Sequence, residues 1–142
     1  MNVKYMKIAF IEAQKAYKLG EVPVGAIIVK NGKIIGKGYN KKEKTKSTIM
    51  HAEIIAINKA CKKNKDWRLN ECEMYVTLEP CMMCMGAIVE SRIKKVYCGI
   101  ENKKSHQYNQ KICNDENINI EYGILENDIL IQVKNFFNNI RI

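Results

Sequence analysis

Glu73–Ile100 reads EMYVTLEPCMMCMGAIVESRIKKVYCGI, and it decides the fold. EMYVTLE and KKVYCGI are short runs rich in β-branched and aromatic residues, the pattern of strands. Between them PCMMCMGAIVESR reads as a helix, with Pro80 at the first helical position that proline favours. Cys81 and Cys84 are three apart and so share one helix face.

The flanks extend this strand–helix–strand unit. Upstream, IMHAEIIAINKACKK (49–63) is expected to be a helix with Ile54, Ile55, Ile57 and Ala60 buried, capped by Ser47 or Thr48 from the charged loop KKEKTKST. Before it, VGAIIVKNGKIIGKGY (24–39) reads as two strands around Asn31-Gly32, the strongest short hairpin signal. Residues 3–19 form an amphipathic helix through Tyr5, Ile8, Ala9, Ala13, Ala16 and Tyr17, with Glu12 the exception on that face and Gly20 as its stop. Downstream, residues 101–117 are expected to be a polar loop. INIEYGIL is read as a short strand, and ENDILIQVKNFFNNI as a terminal helix with Ile129, Leu130, Val133, Phe136 and Phe137 on one face. Helices alternating with strands imply an α/β fold, a sheet with helices on both faces.

The 142 residues suit one domain, and 46% hydrophobic content is enough for a core without disulfide staples. No apolar run reaches membrane-spanning length, and the start MNVKYMKIAF lacks a signal-peptide stretch, so a cytoplasmic protein is expected. There, six cysteines read as metal-binding or catalytic residues before disulfides. Net charge is +9, and residues 30–68 alone carry 12 Lys/Arg against Glu43, Glu53 and Asp66. Such segregation suits a polyanion docking on one face; a lysine-rich solvated surface is the alternative.

The chemistry gathers at two helix starts, His51-Ala52-Glu53 and Pro80-Cys81-Met82-Met83-Cys84. Helix amino ends carry partial positive charge that favours thiolates. Two thiolates and an imidazole suit zinc, and three protein ligands leave a fourth position for water. Glu53 then need not bind the ion; it can move a proton from the activated water to a substrate nitrogen. Cys61, Cys72, Cys98 and Cys113 read as small buried hydrophobes, the Met82-Met83-Met85 cluster as packing, and Trp67 as closing a helix end over the core. His106 reads either as an exposed loop residue or as a stacking platform for a base.

His-x-Glu followed by Pro-Cys-x-x-Cys is the signature of zinc deaminases. EVPVGAIIV, HAEIIAI, MYVTLEPCMMCMGAIVESRIKKVYCG and YGIL with Phe136-Phe137 resemble the bacterial tRNA-specific adenosine deaminases over residues 3–137. The resemblance implies a cytidine-deaminase-like fold, a three-layer α/β/α arrangement with a five-stranded mixed sheet, in a single deaminase domain over residues 1–142. It implies one zinc per subunit on His51, Cys81 and Cys84, with Glu53 as the catalytic proton shuttle and Asn40 and the Ala52 N–H holding the target nucleotide. It implies a homodimer acting on a tRNA anticodon stem-loop, converting adenosine to inosine at the wobble position of an arginine tRNA. Where the family has an aspartate and a Lys/Gly/Ala-rich loop, this chain has IENKKSHQYNQKICND with Asn102 near the aspartate position; after Phe137 only Arg141 is positive. Both departures imply a rearranged grip on RNA. Deamination of a free base such as guanine or cytosine, and a non-catalytic zinc-stabilised RNA-binding module, are the competing readings.

Overall fold

The computed structural model describes residues 2–139; Arg141 and the last residues of the tail lie outside them. In chain order the elements are α1 (Val3–Lys18), β1 (Gly25–Lys30), β2 (Lys33–Tyr39), α2 (Lys42–Thr45), α3 (Ala52–Asn64), β3 (Cys72–Leu78), α4 (Met82–Glu90), β4 (Lys95–Ile100), α5 (His106–Asp115), β5 (Asn119–Glu121) and α6 (Glu126–Asn139). They form a five-stranded mixed sheet in the order β2-β1-β3-β4-β5. β1 pairs antiparallel with β2 and β3, whereas β3–β4 and β4–β5 are parallel. The expected α/β/α layering is therefore present.

Strand periodicity explains the two cores, because successive side chains leave a strand on opposite faces. Ala26 and Ile28 of β1, with Met74 and Val76 of β3, pack against Ala52, Ala56, Met85 and Ile88. Ile27, Val29 and Tyr75 face the other way, against Met6 and Ala9 of α1 and Ile129 of α6. The Tyr75 and Tyr97 rings stack there at 4.6 Å. At the hairpin, Asn31 and Gly32 both adopt positive φ, as the tight turn requires.

α3 lies close against β2, and this contact places the site. Its buried stripe is Ala52, Ala56 and Ala60, with Ile54, Ile55 and Ile57 only partly buried. Ala60 is buried as expected, whereas the three isoleucines flank the buried stripe, Ile57 packing at the edge of the core. The cause is Gly36 and Gly38, which let the helix backbone approach so near that a Cβ on Gly38 would sit 2.5 Å from the Ala52 carbonyl oxygen. Only methyl-sized side chains fit between such surfaces.

Other expectations shift too. Neither Ser47 nor Thr48 caps α3: His51 is its N-cap residue, and the Ala52 N–H donates to Asn40 Oδ1 at 2.8 Å. α4 starts at Met82 with Cys81 as N-cap, so Pro80 precedes the helix. The segment expected to be a loop over 101–117 contains α5, and KKEKTKST contains α2, whose Glu43 and Lys44 N–H groups donate to the buried Glu21 carboxylate at 3.1 and 2.8 Å. Glu12 is buried against Lys15 at 2.6 Å. Of the methionine cluster only Met85 is core; Met82 and Met83 are exposed. Trp67 is exposed between the Arg68 and Arg92 guanidiniums, and Leu69 fills the core instead. On α6, Ile129 and Phe136 are buried, whereas Phe137 reaches the surface.

Candidate active site

α3 and α4 pack side by side, so their amino ends meet beyond the carboxyl end of β3. His51 and Cys81 are the extended N-cap residues of the two helices, and Cys84 lies in the first turn of α4. His51 Nδ1 is 3.6 Å from Cys81 Sγ and 3.6 Å from Cys84 Sγ. Among the described residues these three form the group whose donors, within 4.8 Å of one another, could hold a metal. Zinc bonds of about 2.0–2.1 Å to nitrogen and 2.3 Å to sulfur, at tetrahedral angles, require N···S edges of about 3.6 Å. The donor set therefore fits zinc in size as well as softness.

The protons on these groups follow from their contacts. The hydrogen bond from Cys84, helped by that from His51, lowers the Cys81 thiol to about 4, while the shared bond with Cys81 and burial push Cys84 far up. The bond to Cys81 raises His51. Cys81 thus gives up its proton readily, while Cys84 and His51 keep theirs and must release them for a cation to bind.

Glu53 is 3% exposed, and its carboxyl is raised to about 7, chiefly by desolvation. It lines the same cavity as His51 and Cys81 but is not one of the three clustered donors. A carboxyl near neutrality beside a metal position can both accept and release a proton.

The cavity has a volume of about 480 Å³, and its wall includes Asn40, Lys42, Asn102, Lys104 and Phe137 besides the reactive groups. Small-ligand sites run from about 300 to 1,000 Å³. Asn40 Nδ2 donates to the Val22 carbonyl oxygen at 3.0 Å while Oδ1 accepts from Ala52. One amide hydrogen and one lone pair of Asn40 remain for a ligand. The Ala52 N–H, expected to face the nucleotide, is directed at Asn40.

Glu79 stood out in the sequence only within the family-like stretch MYVTLEPCMMC. It is 1% exposed and accepts from Asn102 N–H, Asn109 Nδ2 and Tyr122 O–H, each at 3.0 Å. Its signal was a carboxylate closing an apolar strand immediately before Pro80-Cys81. Cys72, Cys98 and Cys113 are buried as expected and Cys61 is half-buried; desolvation pushes all four thiols up. His106 is neither a free loop residue nor a base platform here: it starts α5, and its ring nitrogens meet Glu79 and Glu101.

The MafB19-like deaminase family matches residues 2–141. The tRNA-specific adenosine deaminase of Bacillus subtilis (strain 168) is 41% identical over 143 residues, covering 96% of this chain and 89% of that protein. A structure solved in a study of A-to-I editing by tRNA:A34 deaminases at the wobble position superposes with a TM-score of 0.84 at 31% identity, covering 92% of this chain and 99% of that one. A guanine deaminase from Bacillus subtilis is similar over less: TM-score 0.68 at 37% identity, 76% of this chain and 70% of that one.

Proposed function

We propose that the cavity of this chain, which belongs to the MafB19-like deaminases and to the tRNA-specific adenosine deaminases, deaminates adenosine to inosine at the wobble position of a tRNA. The observation that carries the chemistry is Glu53: a buried carboxyl beside a three-donor metal set, yet outside it.

His51, Cys81 and Cys84 would hold one zinc, which when bound supplies the Lewis acidity that makes a water acidic near neutral pH. Glu53, buried beside that position, would take a proton from the attacking water and deliver it to the substrate. In sum, water adds at the amino-bearing carbon, the C–N bond breaks, ammonia leaves and the ring carbon keeps the oxygen. Asn40 offers its free N–H and lone pair to the nucleotide, and the Ala52 N–H holds the Asn40 amide in that orientation. Lys42 and Lys104 at the wall suit the flanking phosphates. The finer substrate choice, an arginine tRNA, follows the family resemblance, as do action in the cytoplasm and a single deaminase domain over residues 1–142. No described helix is long and apolar enough to cross a membrane.

A homodimer is supported by one surface. Ile49, Met82 and Met83 are exposed, and the partly buried Ile54 and Ile57 line an adjoining depression with Ala87. An apolar area of that kind marks an interface more often than a free surface.

Similarity to a guanine deaminase supports a second reading, deamination of a free base. The zinc-loaded protein is incubated separately with an anticodon stem-loop RNA and with guanine or cytosine. Inosine in the RNA, with no ammonia from the bases, is expected; ammonia from a base and no inosine would reverse the assignment.

A further inference from the structure

The chain has two histidines, and the reaction leaves one of them, His106, without a task. Its geometry is specific. Nδ1 is 2.9 Å from Glu79 Oε1, and Nε2 is 3.0 Å from Glu101 Oε1. A neutral imidazole has one N–H and one lone pair, so only the doubly protonated ring donates to both carboxylates. The ring is one-third exposed, whereas the Glu79 side chain is wholly buried.

The two carboxylates belong to different parts of the site. Glu79 leads into Pro80 and the metal-side Cys81. Glu101 opens the segment 101–105, whose Asn102 and Lys104 line the cavity. Further bonds tie this segment and α5 to the same turn: Ser105 Oγ and Asn109 Nδ2 donate to the Pro80 carbonyl oxygen at 2.9 and 2.8 Å. The group's other neighbours are few. Tyr122 packs edge-on to the imidazole at 5.2 Å and donates to Glu79, and burial, reinforced by Glu79, keeps it a phenol. The first turn of α5 has no acidic residue. The hydrogen bond to Glu79 raises the imidazole above its usual value, consistent with the geometry.

We propose that His106 is a positioning residue: as an imidazolium it bridges Glu79, on the metal side, to Glu101, at the root of the substrate-side segment, and so holds Asn102 and Lys104 at the cavity wall. Its ring nitrogens bond to no metal ligand, and it does not line the cavity. Glu79 keeps three other donors without it, so the metal turn survives its removal; the substrate-side segment keeps its Asn102 and Ser105 bonds but loses the clamp on Glu101, and the wall loosens. Because the bridge exists only while the ring is charged, it is complete below the raised imidazole value and is lost as pH climbs through it. The catalytic readout rests on the proposal that the cavity takes an RNA nucleotide.

The test compares His106→Phe and His106→Arg in the zinc-loaded protein with anticodon stem-loop RNA. For His106→Phe, KM is expected to rise about five- to tenfold, the worth of a lost charge-assisted bond, with kcat and zinc content unchanged. His106→Arg, charged at every pH and able to donate to both carboxylates, restores KM. The parent's KM rises with pH across the imidazole titration; in both variants that limb is absent. NMR without RNA gives an independent reading, with the His106 signal identified by its loss in the variants. Its titration midpoint lies above that of a free imidazole and falls in Glu101→Gln, and amides 101–105 exchange faster in His106→Phe. An unchanged KM in His106→Phe overturns the proposal. So does a joint loss of zinc, kcat and KM that arginine does not rescue, as does a midpoint insensitive to Glu101→Gln. A parent inactive on RNA would count against the proposed function, while the NMR and exchange results would still decide this bridge.

Discussion

Replacing Gly38 with alanine tests how the sheet sets the site. The new methyl would lie 2.5 Å from the Ala52 carbonyl oxygen and 2.9 Å from both the Ala56 nitrogen and the Ile55 Cβ, where ordinary contacts begin at 3.4 Å. Two of these atoms are helix backbone, so no rotamer change relieves the clash; α3 must retreat by about 1 Å, an overpacking that costs about 1–3 kcal/mol. Domains of this kind are stable by about 5–15 kcal/mol, so the variant stays folded. The same shift carries His51 and Glu53, and a 1 Å misplacement of a catalytic group costs about 10²-fold in rate. Urea denaturation should show a lower midpoint at an unchanged slope, and turnover should fall about 10²-fold in zinc-saturated protein. Lys37→Ala, at the exposed neighbouring position, should stay within about 0.5 kcal/mol of the parent. A Gly38→Ala protein with the parental midpoint and turnover would refute the claim that this close approach places the site.

Cys84→Ala removes a buried metal donor and should abolish stoichiometric zinc, with a lower melting temperature read by calorimetry. In metal-stripped protein, burial raises Glu53 to about 7, so the folded state binds that proton more tightly than the unfolded state and stability falls as pH rises from about 4.5 through 7. Glu53→Gln should remove that loss, making the metal-free variant more stable than the parent at pH 8 by about 3 kcal/mol and no different in this respect below pH 4, as denaturation at the two pH values checks. RNA affinity should fall steeply with salt, and Lys42→Ala and Lys104→Ala should each reduce the slope of log K against log salt by about 1 in binding titrations.

The site was legible because its chemistry is local: His51 with Glu53, and Cys81 with Cys84, are close pairs at helix starts. β1 and β3 were legible because their runs of β-branched and aromatic residues are buried on both faces. What the sequence hid depends on partners far along the chain. Ile54 and Ile57 looked like the centre of the α3 face, but at the closest approach Gly36 and Gly38 on β2 admit only the alanine stripe and leave Ile57 at the core's edge. α5 is too polar to announce itself. Asn109, bonded to Glu79 and Pro80, and the buried Cys113 anchor it instead. The cap of α3 comes from Asn40, at the end of another strand, where no local pattern could show it.

In the proposed reaction a solvent molecule, activated between a zinc position and Glu53, displaces an amino group. Running the reaction in ¹⁸O-water and weighing the inosine released from the stem-loop tests this most directly, with Glu53→Gln run beside the parent. One heavy oxygen per inosine in the parent and a rate about 10²–10⁴-fold lower in the zinc-loaded variant are predicted. Inosine without the heavy oxygen, or formed at the parental rate by Glu53→Gln, would contradict it.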